Sequence, residues 1–135
     1  LEALASASGA PRVIACIDAR MDEVYCAAYV RADDGVMNEA IAPAVLPPQA
    51  VPIPAGAGWT GCGSGFAAHG GVLAARLGVH LARVNPLLLP TAEAILALAL
   101  PRLAAGGGGD AAHAVPVYLR ERVALTVAER RERAR

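Results

Sequence analysis

Two strand-like runs joined by a short charged turn constrain the fold of this chain most. Residues 12–18 and 23–31 are rich in Val, Ile and Tyr, whose branched or aromatic side chains pack well on a pleated surface. The connection between the runs, residues 19–22, is short, so the sequence predicts a hairpin. Four charged residues stand at its tip: Asp18, Arg20, Asp22 and Glu23.

The charges at this tip have two interpretations. Carboxylates that share a cleft can form a pair that works in acid–base catalysis. Charges at a hairpin tip are more often a solvated turn, in which local pairing by Arg20 contributes under about 1 kcal/mol. The residue pattern alone favours the solvated turn.

A third strand is predicted after the hairpin. The Asp34–Gly35 dipeptide is a strong turn signal, because glycine reaches backbone conformations with positive φ. Residues 36–46 then resemble a weaker strand, and Pro43 favours a sheet edge because proline has no N–H to donate to a neighbouring strand. The chain is therefore predicted to open with three antiparallel strands.

The second part of the chain alternates between strands and helices. We expect short strands at 53–57 and 79–84, a helix at 66–77 that ends at Gly78, and a second helix that begins near Pro90. The apolar residues of this second helix are spaced for one buried face: Ala92, Ile95, Leu96, Ala99 and Leu103. The predicted fold class is α/β, with three antiparallel strands followed by a βαβα unit in a mixed sheet with flanking helices.

Length, charge and hydropathy exclude several classes of protein. The 135 residues suffice for one domain, and twelve basic residues balance twelve acidic ones, which disfavours a large phosphate-binding surface. No apolar run approaches the roughly 20 residues that a membrane helix needs. We therefore expect a soluble, cytoplasmic protein that does not associate with a membrane.

The three cysteines lack the C-x-x-C spacing of a metal or redox motif. If the first two strands pair around residues 19–22, Cys16 and Cys26 face each other across the ladder, and Cys62 stands apart. An oxidised pair and two buried thiols are both compatible with this pattern. The absence of a secretory signal in the sequence favours buried thiols.

Three glycines, Gly56, Gly58 and Gly61, spell G-x-G-x-x-G between the predicted strand at 53–57 and the helix at 66–77. A dinucleotide fingerprint also requires an acidic residue about 20 positions further on, and residues 76–81 contain none, so a nicotinamide or flavin site is disfavoured. A close-packed turn between strand and helix is the default interpretation. The alternative is that backbone amides at the start of the helix face an adenosine or a phosphate.

Other candidate chemistry is sparse. Ser64 lies in a GCGSG stretch that lacks the first glycine of a nucleophile elbow, and no catalytic residue is predicted. The histidines have no partner at metal-ligand spacing, so no metal site is predicted either: His69, His80 and His113. Near the end of the chain, Tyr118 and Arg120 could dock their segment on the domain or contact a partner.

Four stretches together resemble the second half of the TsaB (YeaZ) family, in the same order. They are LEALA at 1–5, IDARMDEVYCAAY at 17–29, LLPTAEAILALA at 88–99 and PVYLRERVA at 116–124. The phrases D-A-R-x-x-E-V-Y and P-x-Y-L-R supply the family-motif residues: Asp18, Arg20, Glu23, Tyr25, Pro116, Tyr118 and Arg120. The resemblance implies a fragment of a longer protein that lacks the family's N-terminal half.

The resemblance implies a ribonuclease H-like fold of the actin-like ATPase superfamily. Residues 1–10 would end a linking helix, 11–120 would form the C-terminal domain, and 121–135 would form a polar helical tail. In active members of the superfamily, the first hairpin of this domain is a glycine-rich phosphate loop that begins with Asp. Here Asp18 is present, but residues 19–22 contain no glycine, which implies a lost catalytic loop.

The function implied by the resemblance is that of a non-catalytic scaffold for TsaD. With the ATPase TsaE, that system transfers a threonylcarbamoyl group to the tRNA adenosine beside the anticodon, and the scaffold would contact tRNA only indirectly. No cofactor is expected, although the complete protein could bind ATP or ADP weakly at the glycine turn. Self-association through exposed apolar surface is a further expectation. The alternative is a nucleotide-hydrolysing or glycoprotease-like enzyme of the same superfamily.

Overall fold

The computed structural model describes residues 1–120 as a five-stranded sheet with helices on both faces. The strands are β1 (Arg12–Arg20), β2 (Glu23–Arg31), β3 (Met37–Leu46), β4 (Trp59–Cys62) and β5 (Leu81–Asn85). The α-helices are α1 (Glu2–Ala7), α2 (Ser64–Leu77) and α3 (Ala92–Ala104). Single 3₁₀ turns cover Pro48–Ala50, Gly78–His80 and Ala111–His113.

The sheet is mixed, with the strand order β3-β2-β1-β4-β5. Strand β2 pairs antiparallel with both β1 and β3, whereas β4 runs parallel to β1 and to β5. The predicted α/β class, the three opening antiparallel strands and the edge position of the Pro43 strand are confirmed. Strand β1 is the central strand, because it joins the antiparallel hairpins to the parallel pair.

The two faces of the sheet bury separate apolar clusters, because successive side chains of a strand point to opposite faces. Helix α2 covers one face, where the buried residues include Ile14, Cys16, Val24, Trp59, Phe66 and Leu73. Helix α1 and part of α3 cover the other, where the buried residues include Leu4, Val13, Ala15, Ala27, Tyr29 and Cys62. Strand β1 therefore contributes alternate apolar side chains to the clusters on both faces of the sheet.

The short strand predicted at 53–57 was wrong. Residues 51–58 contain no strand, and the strand in this part of the chain is Trp59–Cys62, within the stretch where the sequence predicts a turn between strand and helix. The Trp59 indole N–H donates to the Ala55 carbonyl at 3.2 Å, and the Arg12 guanidinium lies 5.9 Å above the indole ring. Burial of Trp59 on the α2 face explains why the strand begins at this residue.

The buried face predicted for α3 was also wrong. Only Ala94 is buried in this helix, and the large apolar residues predicted to face inward are more than half exposed: Ile95, Leu96 and Leu103. Apolar residues surround the whole helix, so their spacing did not define one direction toward the core. The side of α3 that carries Leu98 packs against α1 and the apolar cluster that α1 covers.

The two ends of the predicted domain layout stay predictions. Residues 2–7 are helical as expected, but whether α1 links this domain to another half is untested. The tail predicted at 121–135 lies outside the described residues. Within residues 1–120, no helix is both long enough and apolar enough to cross a membrane.

Two glycines of α2 test how closely this helix packs on β1. A Cβ atom on Gly65 would lie 2.8 Å from Cys16 Cβ and 3.0 Å from the Cys16 carbonyl oxygen, whereas one on Gly71 would meet nothing within 4 Å. We predict that Gly65→Ala lowers the free energy of unfolding by about 1–3 kcal/mol. The matched control Gly71→Ala should raise it by about 0.5–1 kcal/mol. Urea denaturation measures both values, and equal effects would contradict this packing.

Candidate functional site

The tip of the β1–β2 hairpin has an unusual backbone. Arg20, Met21 and Asp22 have φ values of 61°, 56° and 59°, in the left-handed region that costs a non-glycine residue about 1 kcal/mol each. The strand register shifts between Asp18 and Arg20, so the tip begins with a bulge. Three consecutive residues in this region persist only where surrounding contacts hold them.

Asp18 supplies one such contact from inside the turn. Its Oδ1 accepts a hydrogen bond from the Arg20 backbone N–H at 3.0 Å, and its Oδ2 lies 3.6 Å from Arg20 Nη1. The Arg20 side chain is 87% exposed, so this ion pair is screened by solvent and contributes little. The backbone hydrogen bond is the contact that shapes the turn.

Arg120 holds the hairpin from outside. Its Nη2 donates to the Ala19 carbonyl at 3.0 Å and to Glu23 Oε2 at 2.5 Å, while its guanidinium carbon lies 5.9 Å from the centre of the Tyr25 ring. Nη1 also lies 3.7 Å from Met21 Sδ. We call this arrangement the hairpin clasp. It brings together Glu23, Tyr25 and Arg120, three of the motif residues identified in the sequence.

The clasp is shielded from water. The Arg120 side chain is 14% exposed, and its Nε is a buried polar atom with no hydrogen-bond partner among residues 1–120. Partial burial strengthens the attraction between Arg120 and Glu23, and it raises the cost of leaving either charge unpaired. The structure therefore selects the docking interpretation for Arg120.

The other motif residues of this segment behave differently. Tyr118 is 84% exposed, and Pro116 is exposed as well. Val115 and Val117 are also mostly exposed, so the segment before Arg120 presents apolar side chains to solvent. Of the two interpretations of this segment, Arg120 fits docking, while Tyr118 remains free to contact a partner.

A groove of about 650 Å³ lies beside the clasp on the face of the sheet that α1 covers. Its lining includes Ile17, Tyr25, Tyr29, Pro43, Val117 and Arg120. Burial is the main factor that raises the pKa of Tyr29 to about 12, and the nearby negative charges of Glu2 and Glu39 add to it. The groove is thus mostly apolar, with phenol and guanidinium groups in its wall.

A second polar group connects the hairpin to α2. The Asp18 backbone N–H donates to Ser64 Oγ at 3.1 Å, and Asp18 Oδ1 lies 3.8 Å from His69 Nε2. His69 interrupts the helix, with φ −127° and ψ 27°. Because β1 and β4 are parallel, their carboxyl ends bring Asp18 and Ser64 together. No sequence pattern predicts this contact, since the two residues are 46 positions apart.

The predicted position of the G-x-G-x-x-G glycines was wrong. Gly56 and Gly58 precede β4 and Gly61 lies inside it, so none stands between the strand and the helix. The actual turn contains Gly63, and a Cβ atom there would lie 2.5 Å from the Cys16 carbonyl oxygen. Gly56 lies near the amino end of β4, whereas Asp18 lies near the carboxyl end of the neighbouring parallel strand β1. Nucleotide binding at these glycines stays a prediction.

Two side chains contact backbone carbonyl oxygens in the loop at residues 56–58, which precedes β4. His80 Nδ1 lies 2.6 Å from the Gly56 carbonyl oxygen, and Arg12 Nη1 donates to the Ala57 carbonyl at 3.2 Å. A Cβ atom on Gly61 would lie 2.5 Å from the Phe66 ring, which explains the need for glycine at that position. Packing accounts for these features. Within residues 1–120, no three His, Cys, Asp or Glu side chains lie close enough to hold a metal ion.

Comparison with known proteins gives a consistent result. No protein-family model matches the chain. It is 40% identical over 120 residues to the tRNA threonylcarbamoyladenosine biosynthesis protein TsaB of Escherichia coli strain K12, covering 87% of this chain and 51% of that protein.

Two solved structures from Pseudomonas aeruginosa have the same fold. The first is described as an uncharacterized protein with similarity to peptidase YeaZ, and it superposes with a TM-score of 0.77 at 42% identity. The match covers 89% of this chain and 56% of that protein chain. The second, YeaZ, has a TM-score of 0.76 at 41% identity, with 88% and 56% covered. The chain spans about half the length of these relatives. The resemblance to TsaB (YeaZ) and the ribonuclease H-like fold are confirmed.

The hairpin clasp generates a prediction about stability. Arg120→Ala removes the hydrogen bonds to Ala19 and Glu23 and leaves Glu23 without its partner, so the free energy of unfolding should fall by about 2–4 kcal/mol. Arg120→Lys should recover only part of this loss, because an ammonium group lacks the planar fork of the guanidinium. Chemical denaturation measures both variants.

A matched control is the more exposed pair that Arg102 forms with Glu2. The Arg102 side chain is 61% exposed, so Arg102→Ala should cost less than about 1 kcal/mol. If the two arginine-to-alanine variants were equally stable, the clasp would contribute no more than a surface ion pair.

Tyr29 generates a prediction about alkaline pH. Its pKa is raised to about 12 in the folded protein from the ordinary value of 10.0, so the fold favours the neutral phenol. This contribution to stability should be intact below pH 10 and should fall as the pH rises from about 10 to 12. Tyr29→Phe should flatten that fall, whereas Tyr118→Phe, at a side chain 84% exposed, should not. Denaturation at stepped pH, with phenolate absorbance, provides the measurement.

Proposed function

This chain corresponds to about half of a TsaB-like (YeaZ-like) protein, and we propose that it serves the biosynthesis of threonylcarbamoyladenosine in tRNA as a non-catalytic scaffold. Its partner in this proposal is TsaD, which carries out the transfer with the ATPase TsaE. The setting is the cytoplasm. The sequence similarity to TsaB supports the process, and the hairpin geometry supports the non-catalytic role.

The hairpin tip is the observation that carries the proposal. A phosphate loop works because glycine amides stand free to approach the phosphate oxygens. Here the Arg20 amide already donates a hydrogen bond to the Asp18 carboxylate, and Asp22 adds a second negative charge at the tip. Arg120 is engaged by Glu23 and Ala19 instead of facing the tip as a free cation. These contacts favour a structural or protein-binding hairpin over one that holds a nucleotide.

Indirect contact with tRNA fits the charge distribution. The net charge is zero, and proteins that bind RNA backbones usually cluster Lys or Arg on one face. Among the described arginines, exposed Arg102 is paired with Glu2 and mostly buried Arg120 is paired with Glu23. In this proposal tRNA is held by the partner proteins.

The second candidate is a hydrolytic enzyme, and one observation favours it. Asp18, Ser64 and His69 meet at the carboxyl ends of two parallel strands, where α/β proteins commonly bind ligands. Against it, Ser64 Oγ accepts a hydrogen bond from a backbone N–H, and the described residues show no hydrogen bond from Ser64 to His69. A hydroxyl without a base beside it is a weak nucleophile.

Activity measurements separate the two candidates. The purified chain should hydrolyse neither ATP nor a glycoprotein above the rate seen without protein, and it should bind ATP or ADP weakly or not at all. If it does hydrolyse either substrate and Asp18→Ala abolishes the activity, the scaffold proposal is wrong. His69→Gln serves as a second variant, because it removes the histidine and leaves the hairpin turn intact.

Binding to TsaD tests where the scaffold contact lies. We predict that this chain folds but neither forms a tight complex with TsaD nor restores tRNA modification, because in this proposal the family's other half carries most of that contact. Analytical ultracentrifugation of a mixture with TsaD measures complex formation, with a full-length TsaB as the positive control. A stoichiometric complex with this chain would assign the contact to this half. Self-association through the exposed residues of α3 would appear in the same experiment.

A further inference from the structure

Cys16 and Cys26 are direct partners across the β1–β2 ladder. Their Sγ atoms lie 3.4 Å apart, both side chains are buried, and neither is part of a disulfide. Cys62 is also buried, but it belongs to the apolar cluster on the opposite face of the sheet. The chain therefore holds one close thiol pair and one thiol apart from it.

Cys16 and Cys26 lie at the kind of position in the antiparallel pair where the two strands bring their Cα atoms closest together. The Arg31 N–H donates to the Pro11 carbonyl at 2.8 Å, so residues 11 and 31 form a hydrogen-bonded position. Hydrogen-bonded and non-hydrogen-bonded positions alternate along an antiparallel pair, and the register from Arg12 to Asp18 has no shift. Five steps along, Cys16 and Cys26 occupy a non-hydrogen-bonded position, where Cα atoms are about 4.5 Å apart.

That separation is compatible with a covalent bond. Disulfides join residues whose Cα atoms lie roughly 4.4–6.8 Å apart, so the backbone needs no large movement to bring the two sulfurs into bonding distance. The side chains already point to the same face of the sheet, against the start of α2 near Gly65. The main obstacle is access, since relative exposures of 0% and 3% keep an oxidant away from both sulfurs.

We propose that Cys16 and Cys26 form a reversible cross-strand disulfide when a peroxide reaches them. One thiolate attacks the peroxide to give a sulfenic acid, and the second thiol displaces its hydroxyl as water, which forms the S–S bond. The net reaction takes two hydrogen atoms from the thiols and reduces hydrogen peroxide to two molecules of water. A small dithiol reverses the reaction by thiol–disulfide exchange.

The surroundings make this reaction slow and dependent on pH. The hydrogen bond to Cys26, burial and the charge of neighbouring thiols raise the pKa of Cys16 well above its usual value, so little thiolate is present near neutral pH. Oxidation should therefore accelerate as the pH rises. The disulfide would tie together the two strands that carry the hairpin clasp, and it would make the stability of the domain depend on redox conditions.

The test is a peptide map of the oxidised chain. Hydrogen peroxide at pH 8, followed by unfolding and thiol titration, should reduce the free thiols from three to one, with a mass lower by two hydrogen atoms. Because arginines stand at positions 12, 20 and 31, trypsin under non-reducing conditions should release residues 13–20 joined to residues 21–31. The oxidised chain should melt roughly 5 °C higher, and dithiothreitol should reverse every change.

Two variants sharpen the test. Cys62→Ala should form the same linked peptides, whereas Cys26→Ala should yield none. Three free thiols after prolonged exposure would overturn the proposal, as would a disulfide that contains Cys62 or conversion of Cys16 to a sulfinic acid. The wild-type peptide map decides the matter even if a variant fails to fold.

Discussion

The pairing of β1 on both of its edges is the constraint on which the rest of the described structure depends. One edge holds β2 in an antiparallel hairpin, and the other holds β4 in parallel. Its alternating side chains supply apolar residues to both faces, so α1 and α2 each pack against the same strand. Two ends of this strand then acquire different roles: Arg12 supports the glycine loop, and Asp18 shapes the hairpin tip.

The hairpin combines a strained backbone with a partly buried ion pair. Left-handed conformations at residues 20–22 cost free energy, and the contacts of Asp18 and Arg120 offset that cost. In a phosphate loop, glycines would adopt such conformations with little strain and leave their amides open to a ligand. In this hairpin, the Asp18 side chain shapes the turn by accepting a hydrogen bond from the Arg20 amide, and Arg120 donates to the Ala19 carbonyl. The Arg20 amide and the Ala19 carbonyl at the tip are therefore already hydrogen-bonded within the domain.

The sequence predicted local features well and distant contacts poorly. The hairpin, the Pro43 edge strand and the pairing of Cys16 with Cys26 follow from residue pattern and turn length, and the structure has them. The clasp joins residues 97 positions apart, and no periodicity encodes such a contact. The sequence did not predict strand β4, because a glycine at position 61 is typical of a loop. In the structure this glycine lies inside the strand, and the Phe66 ring fills the space that a side chain would take. In α3, apolar residues lie on all sides of the helix, so the sequence did not show which side packs against α1.

The sequence distance spanned by the clasp also sets an order of events during folding. The β1–β2 hairpin closes through contacts between neighbouring residues, whereas Arg120 must close a loop of about a hundred residues before it reaches Glu23. During synthesis the hairpin emerges from the ribosome long before residue 120 is made. The strained tip is then without its arginine, exposing the Glu23 carboxylate and the Ala19 carbonyl to water. Maturation of this hairpin is therefore a late event, completed only when the segment that ends in Arg120 arrives.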